Sequence, residues 1–174
     1  SIVFDVLTRY LEYRGFKVRK VQNFTDVDDK IINRAREDGI STEEVTDKYI
    51  RSFFQSIDGL NVQRATVHPR ATEDMPEIID LICRLVDGGS AYASNGSVYY
   101  RVRDKSDYGK LSGQNIDEML ESSRIEIEEG KEDPSDFALW KAVKPDEPQW
   151  ESPWGPGRPG WHIECSAMAF KHLG

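Results

Sequence analysis

An α/β fold that gives way to a small β-rich insertion is the class this sequence predicts. Three observations carry that prediction. Apolar residues repeat at helical spacing ahead of a short β-type run near the N-terminus. Three more helical segments follow, each punctuated by capping residues or glycine. Beyond Gly89 the period changes, and Asn95-Gly96 between two short apolar runs marks a hairpin.

Each element has a local reason. Val3, Val6, Leu7, Tyr10 and Leu11 recur at helical spacing up to Gly15, a natural C-cap. Residues 18–24 form a short strand, and a helix followed by a strand is the unit that builds a parallel sheet. The segment Asn23-Phe24-Thr25-Asp26-Val27-Asp28-Asp29-Lys30 hands over to a helix from Ile31 that ends at Gly39. Ser41-Thr42-Glu43-Glu44 is a capping-box signature, so a long helix should run to about Gly59. A loop over 67–72 leads to an apolar helix that reaches Val86 and stops at Gly88-Gly89.

The second half reads differently. Residues 90–93 and 97–102 form the hairpin, because Asn-Gly supplies the positive φ angles of a two-residue turn. A short helix near 115–121 and an acidic loop over 126–133 follow. Asp136-Phe137-Ala138-Leu139-Trp140-Lys141 then returns to apolar packing. Residues 145–160 are rich in Pro, Gly and Trp; they are ordered rather than a linker, since Trp150 and Trp154 need burial.

Composition limits the function. A chain of 174 residues holds one ordinary domain, or one domain carrying an insertion. No apolar stretch reaches membrane-helix length and the N-terminus lacks a signal-type core, so a soluble cytoplasmic protein with no membrane partner is expected. The two cysteines, Cys83 and Cys165, offer neither a disulfide framework nor a C-x-x-C site, and Cys83 lies in an apolar run expected to be core. A net charge of −8 argues against a general polyanion binder. Two basic clusters stand out locally: Arg14, Lys17, Arg19 and Lys20, and Arg101, Arg103, Lys105 and Lys110. Taken singly, each reads as a solvated face.

Chemistry concentrates near the C-terminus. In Gly155-Pro156-Gly157-Arg158-Pro159-Gly160-Trp161-His162-Ile163-Glu164-Cys165-Ser166-Ala167-Met168, helix breakers open onto an amphipathic segment. If the helix begins at Trp161, Trp161 and Cys165 share one face and an indole plane and a sulfur can approach one ligand. The competing reading makes both core residues. Glu164 faces elsewhere and reads as a surface or capping group. Asp26, Asp28 and Asp29 could form a cation site, but at a strand-to-helix junction capping and dipole stabilisation are the stronger reading. Thr25, at the carboxyl end of the strand, is placed to touch a ligand.

Residues 157–168 closely resemble the zinc-cysteine segment of cysteinyl-tRNA synthetase, a class I aminoacyl-tRNA synthetase. The resemblance extends in order through Asn23 to Lys30, Pro69-Arg70-Ala71-Thr72, the hairpin with Tyr108-Gly109, Asp136 to Lys141, and Ser152-Pro153-Trp154-Gly155. It implies a partial Rossmann-type catalytic domain with an inserted connective subdomain that contains the hairpin. The implied division is 1–88 in the catalytic domain, 89–150 in the insertion and 151–174 back in the catalytic domain. It also implies that Cys165 is a zinc ligand and that Trp161 and Thr25 bind substrate; His162 either lies near the adenylate or supports the turn, and is not assigned as a ligand. The partners would be L-cysteine, ATP with magnesium, and cysteine tRNA, and the protein would be a monomer.

Several family features are missing. The His-Ile-Gly-His and Lys-Met-Ser-Lys-Ser motifs are absent, as are the other zinc ligands. The chain is therefore expected to be an internal segment with an incomplete zinc site, no catalytic residue of its own and no adenylation activity alone. Two other readings stand beside this one: a cysteine ligase of the mycothiol pathway, and a non-catalytic RNA-binding scaffold.

Overall fold

Capping chemistry fixes the second and third helices. In the computed structural model, which describes residues 1–118 and 130–174, the first three helices are α1 (Ile2–Tyr13), α2 (Asp29–Asp38) and α3 (Thr42–Gly59). The Asp28 side chain caps α2 by accepting from the Lys30 N–H, and Gly39 ends it in the left-handed region. Ser41 and Glu44 form the expected capping box on α3. A 3-10 turn over Ala71–Glu73 precedes α4 (Met75–Asp87); after four strands comes α5 (Trp161–Leu173). The chain forms two compact units: Ser1–Met75 with Cys165–Gly174, and Pro76–Glu164.

In the first unit the expected strand over 18–24 takes a reduced form. Its pairing consists of two isolated parallel bridges, Val21 with Val67 and Phe24 with Arg70. The reason is Pro69. Gln22 N donates to the Val67 carbonyl (3.1 Å), Phe24 N to the Pro69 carbonyl (2.9 Å) and Ala71 N to the Phe24 carbonyl (3.3 Å). The remaining rung of a parallel ladder would run from residue 69 N–H to the Gln22 carbonyl, and proline has no N–H. His68 fills the gap, its Nδ1 lying 3.0 Å from the Gln22 carbonyl while its Nε2 accepts from the Ala65 N–H at 3.2 Å. The segment read as a loop over 67–72 is thus half of a broken parallel pair.

Packing around this pair is aromatic. The His68 ring stacks on Phe24 at 5.4 Å and meets Phe54 edge-on at 5.0 Å. Burial pushes His68 below the ordinary imidazole value, and the charges of Lys20 and Arg64 push the same way against the Gln22 carbonyl. α1 presents its residues the other way round from expectation. Asp5 and Thr8 are buried, whereas Val3, Phe4, Val6 and Leu7 are exposed. Asp5 holds the helix in place by accepting from the Gln63 N–H (2.7 Å) and from Arg9 Nε (2.8 Å).

The second unit is organised by one antiparallel sheet, β1 (Ala91–Ser94), β2 (Ser97–Tyr100), β3 (Phe137–Ala142) and β4 (Gly157–Pro159), in that spatial order. Asn95 and Gly96 make the predicted turn, both at positive φ. The core sets Trp140, Leu139 and Val98, all nearly solvent-free, with Ile78 and Ile82 of α4. Buried Asp136 ties the entry to β3 by accepting from the Tyr92 hydroxyl (2.8 Å) and the Val102 N–H (3.0 Å). Burial, reinforced by Asp136, pushes the Tyr92 phenol up to about 12. Cys83, expected in the core, is half-buried on α4. The predicted helix near 115–121 is seen as helical backbone over 116–118, and its remainder lies outside the described residues, as does 126–129 of the acidic loop.

Candidate functional site

The start of α5 is built by glycine and proline. At Gly160 a Cβ would collide with the Ala138 carbonyl, and at Gly157 with the Lys141 carbonyl and the Trp140 indole. Both positions must therefore be glycine for β4 to lie against β3. The Gly160 N–H then donates to the Leu139 carbonyl at 2.8 Å, so the chain leaves the sheet at a fixed point and enters α5 one residue later. Beneath it, Arg158 and Glu147 form a buried ion pair at 2.9 Å, their side chains 3% and 7% exposed. Removing either partner would strand a buried charge, so this pair locks the 145–160 segment in place.

Helical periodicity divides the first two turns of α5. Trp161, His162, Cys165 and Ser166 are exposed, and Ile163, Glu164, Ala167 and Met168 are buried. Trp161 is 61% exposed and Cys165 is exposed, so both lie on the outer side of α5 in this chain. His162 packs its ring against Phe137 at 4.9 Å. Glu164, expected at the surface or as a cap, is fully buried, because its position falls on the same side of the helix as Ile163 and Met168.

Thr25 sits where the sequence placed it, at the end of the 18–24 segment. Its flanking residues hold it there: Phe24 bridges Arg70, and Asp26 accepts from the Thr72 N–H (3.0 Å) and hydroxyl (2.6 Å). Asp26 is thus neither a cap nor a cation ligand but a buried tie between two chain segments. Sequence reasoning missed this tie and the His68 rung; the only local signal was Pro69, whose missing donor calls for a substitute. Thr25 lines a cavity of about 330 Å³ with Phe24, Ile31, Val45, Thr46 and Tyr49, among others. Cys165 is not part of that cavity's wall. Among the described residues no three His, Cys, Asp or Glu side chains come together, so the residues present do not by themselves make up a zinc site. No helix among the described residues is long and apolar enough to cross a membrane.

The family model described as the catalytic domain of tRNA synthetases class I (C) matches residues 1–174. Over 173 residues, 99% of this chain, the sequence is 58% identical to a cysteine–tRNA ligase of Carboxydothermus hydrogenoformans and covers 37% of that protein. It is 58% identical to the cysteine–tRNA ligase of Desulforamulus reducens and 56% identical to that of Desulforudis audaxviator, covering 36% of each. The chain thus spans a little over a third of the length of these relatives. It belongs to the class I (C) tRNA synthetase catalytic-domain family.

Proposed function

We propose that this chain is the part of a cysteine–tRNA ligase that presents the substrate side of α5. The full enzyme would join L-cysteine to ATP as cysteinyl adenylate and transfer it to cysteine tRNA. The observation that carries this reading is identity of 56–58% to three proteins of that name across 173 residues, with the Trp161 and Cys165 positions exposed on one helix. Trp161 offers a large apolar plane and Cys165 a sulfur, while Thr25 offers a hydroxyl at the end of an extended segment. We place residues 1–88 and 151–174 in a Rossmann-type domain and 89–150 in a connective insertion. ATP would arrive as its magnesium complex, and the enzyme would act in the cytoplasm as a monomer.

Zinc is implied by the family but poorly supplied by this chain. Cys165 is one soft ligand, and a tetrahedral site needs at least three protein donors. Zinc added to the 174-residue chain should therefore bind weakly and be lost on dialysis. The functional reading is tested by cysteine-dependent ATP–pyrophosphate exchange. The longer protein should show it and the 174-residue chain should not; exchange by neither would remove the ligase assignment.

A further inference from the structure

The two basic clusters look alike in the sequence but not in the structure. In the second unit Arg101 pairs with Glu132, Arg103 with both Asp117 and Asp133 at 2.8 Å, and Lys105 with Asp107 at 2.9 Å. Those charges are spent internally. In the first unit the stretch 13–20 holds four cations and no carboxylate. Arg14, Lys17 and Arg19 are exposed and form no ion pair among the described residues. Lys20 donates to the Gln63 carbonyl at 3.3 Å and faces the Asp5 carboxylate, so it is less available. Glu12, the nearest carboxylate along the chain, pairs with none of them.

Aromatic rings interleave these cations. Tyr13 is 84% exposed and Phe16 63% exposed. Arg14 donates to the Tyr10 hydroxyl at 2.9 Å, and its guanidinium lies 5.8 Å from that ring's centre. Exposed cations beside exposed rings are the makings of a surface for single-stranded nucleic acid, where phosphates meet the charges and bases stack on the π faces. In a chain of net charge −8, this stretch is where attraction to a polyanion is concentrated.

We propose that Arg14, Lys17 and Arg19, with Tyr13 and Phe16, form a contact surface for RNA, engaging its phosphate backbone and an unpaired base. As the partner is taken to be tRNA, the proposal rests on the function argued above. The test is the affinity of the 174-residue chain for a tRNA transcript, followed by fluorescence anisotropy across a salt series. Affinity should fall as salt rises, with a log–log slope near −2 to −3, since about three phosphates are neutralised. The variant K17E/R19E should bind about tenfold more weakly and lower the magnitude of that slope by about 2, and K17A/R19A should lower it by a similar amount. Phe16→Ala should weaken binding without changing the slope. R103E/K105E, a double charge reversal at two paired positions of the other cluster, should leave affinity nearly unchanged. Wild-type affinity and slope in K17E/R19E, equal loss in R103E/K105E, or no salt-dependent binding would each overturn the proposal. Pyrophosphate exchange does not require RNA, so its outcome judges the ligase reading separately.

Discussion

The second unit buries what it owns and the first does not. Around the four-stranded sheet the large apolar side chains lie inside, and among the described residues the exposed exceptions are Tyr108, Leu111 and Trp161. In the first unit α1 alone exposes Ile2, Val3, Phe4, Val6 and Leu7, while its buried positions are the polar Asp5 and Thr8. Hydrophobic burial at roughly 25 cal/mol per Å2 therefore works for the second unit throughout, whereas the first unit is held in good part by specific polar ties. Two buried aspartates show the contrast. Asp136 adds hydrogen bonds to a unit whose large apolar side chains, Trp140 and Ile78 among them, are already buried, but Asp5 fastens a helix whose apolar face remains exposed.

Substitutions can break this comparison, and the largest effect belongs to the second unit. Trp140→Ala removes a side chain with no solvent exposure and should cost about 3–5 kcal/mol in urea denaturation. Leu7→Ser on α1 should change stability by less than about 0.5 kcal/mol. Similar costs for the two would erase the distinction. Next come the aspartates: Asp26→Ala strands the Thr72 N–H and should cost about 1–3 kcal/mol, as should Asp136→Ala. The distinction sharpens if the Asp26 change exposes 18–24 to hydrogen exchange while the Asp136 change leaves it protected.

A smaller effect follows from His68. Because its folded value lies below the ordinary imidazole value of about 6.5, the folded state favours the neutral ring. Its contribution is complete above about pH 6.5 and is lost as pH falls through that value toward the lower folded one, because the unfolded chain then binds the proton more readily. Protonation also removes the acceptor for the Ala65 N–H. Stability of the wild type should therefore drop over this interval by more than that of His68→Phe, and identical pH profiles would count against the His68 rung.

Helix ends were legible because their chemistry is local. Ser41 with Glu44, Asp28 before Lys30, and Asn95-Gly96 each carry their partners within a few residues, and each forms as read. What was not legible depended on distant partners. The pairing of β3 with β2 and β4 joins residues far apart in the chain, and a Pro69 opposite Gln22 reduces a strand to two bridges. The apolar pattern of α1 is real, yet periodicity reports which residues share a face and not what covers it. The two basic clusters differ because carboxylates further along the chain, Asp117, Glu132 and Asp133, return to neutralise the arginines of one of them. At the candidate site, the shared side of Trp161 and Cys165 was readable from their spacing of four, whereas the burial of Glu164 was not.

The exposed sulfur on α5 bears most directly on what the chain does. In the longer protein, Cys165→Ser should abolish cysteine-dependent ATP–pyrophosphate exchange while far-ultraviolet dichroism stays unchanged, because the thiol is exposed and serine is of nearly the same size. Full exchange activity in Cys165→Ser, with cysteine still preferred over serine, would contradict the assignment of Cys165 to the selection of substrate.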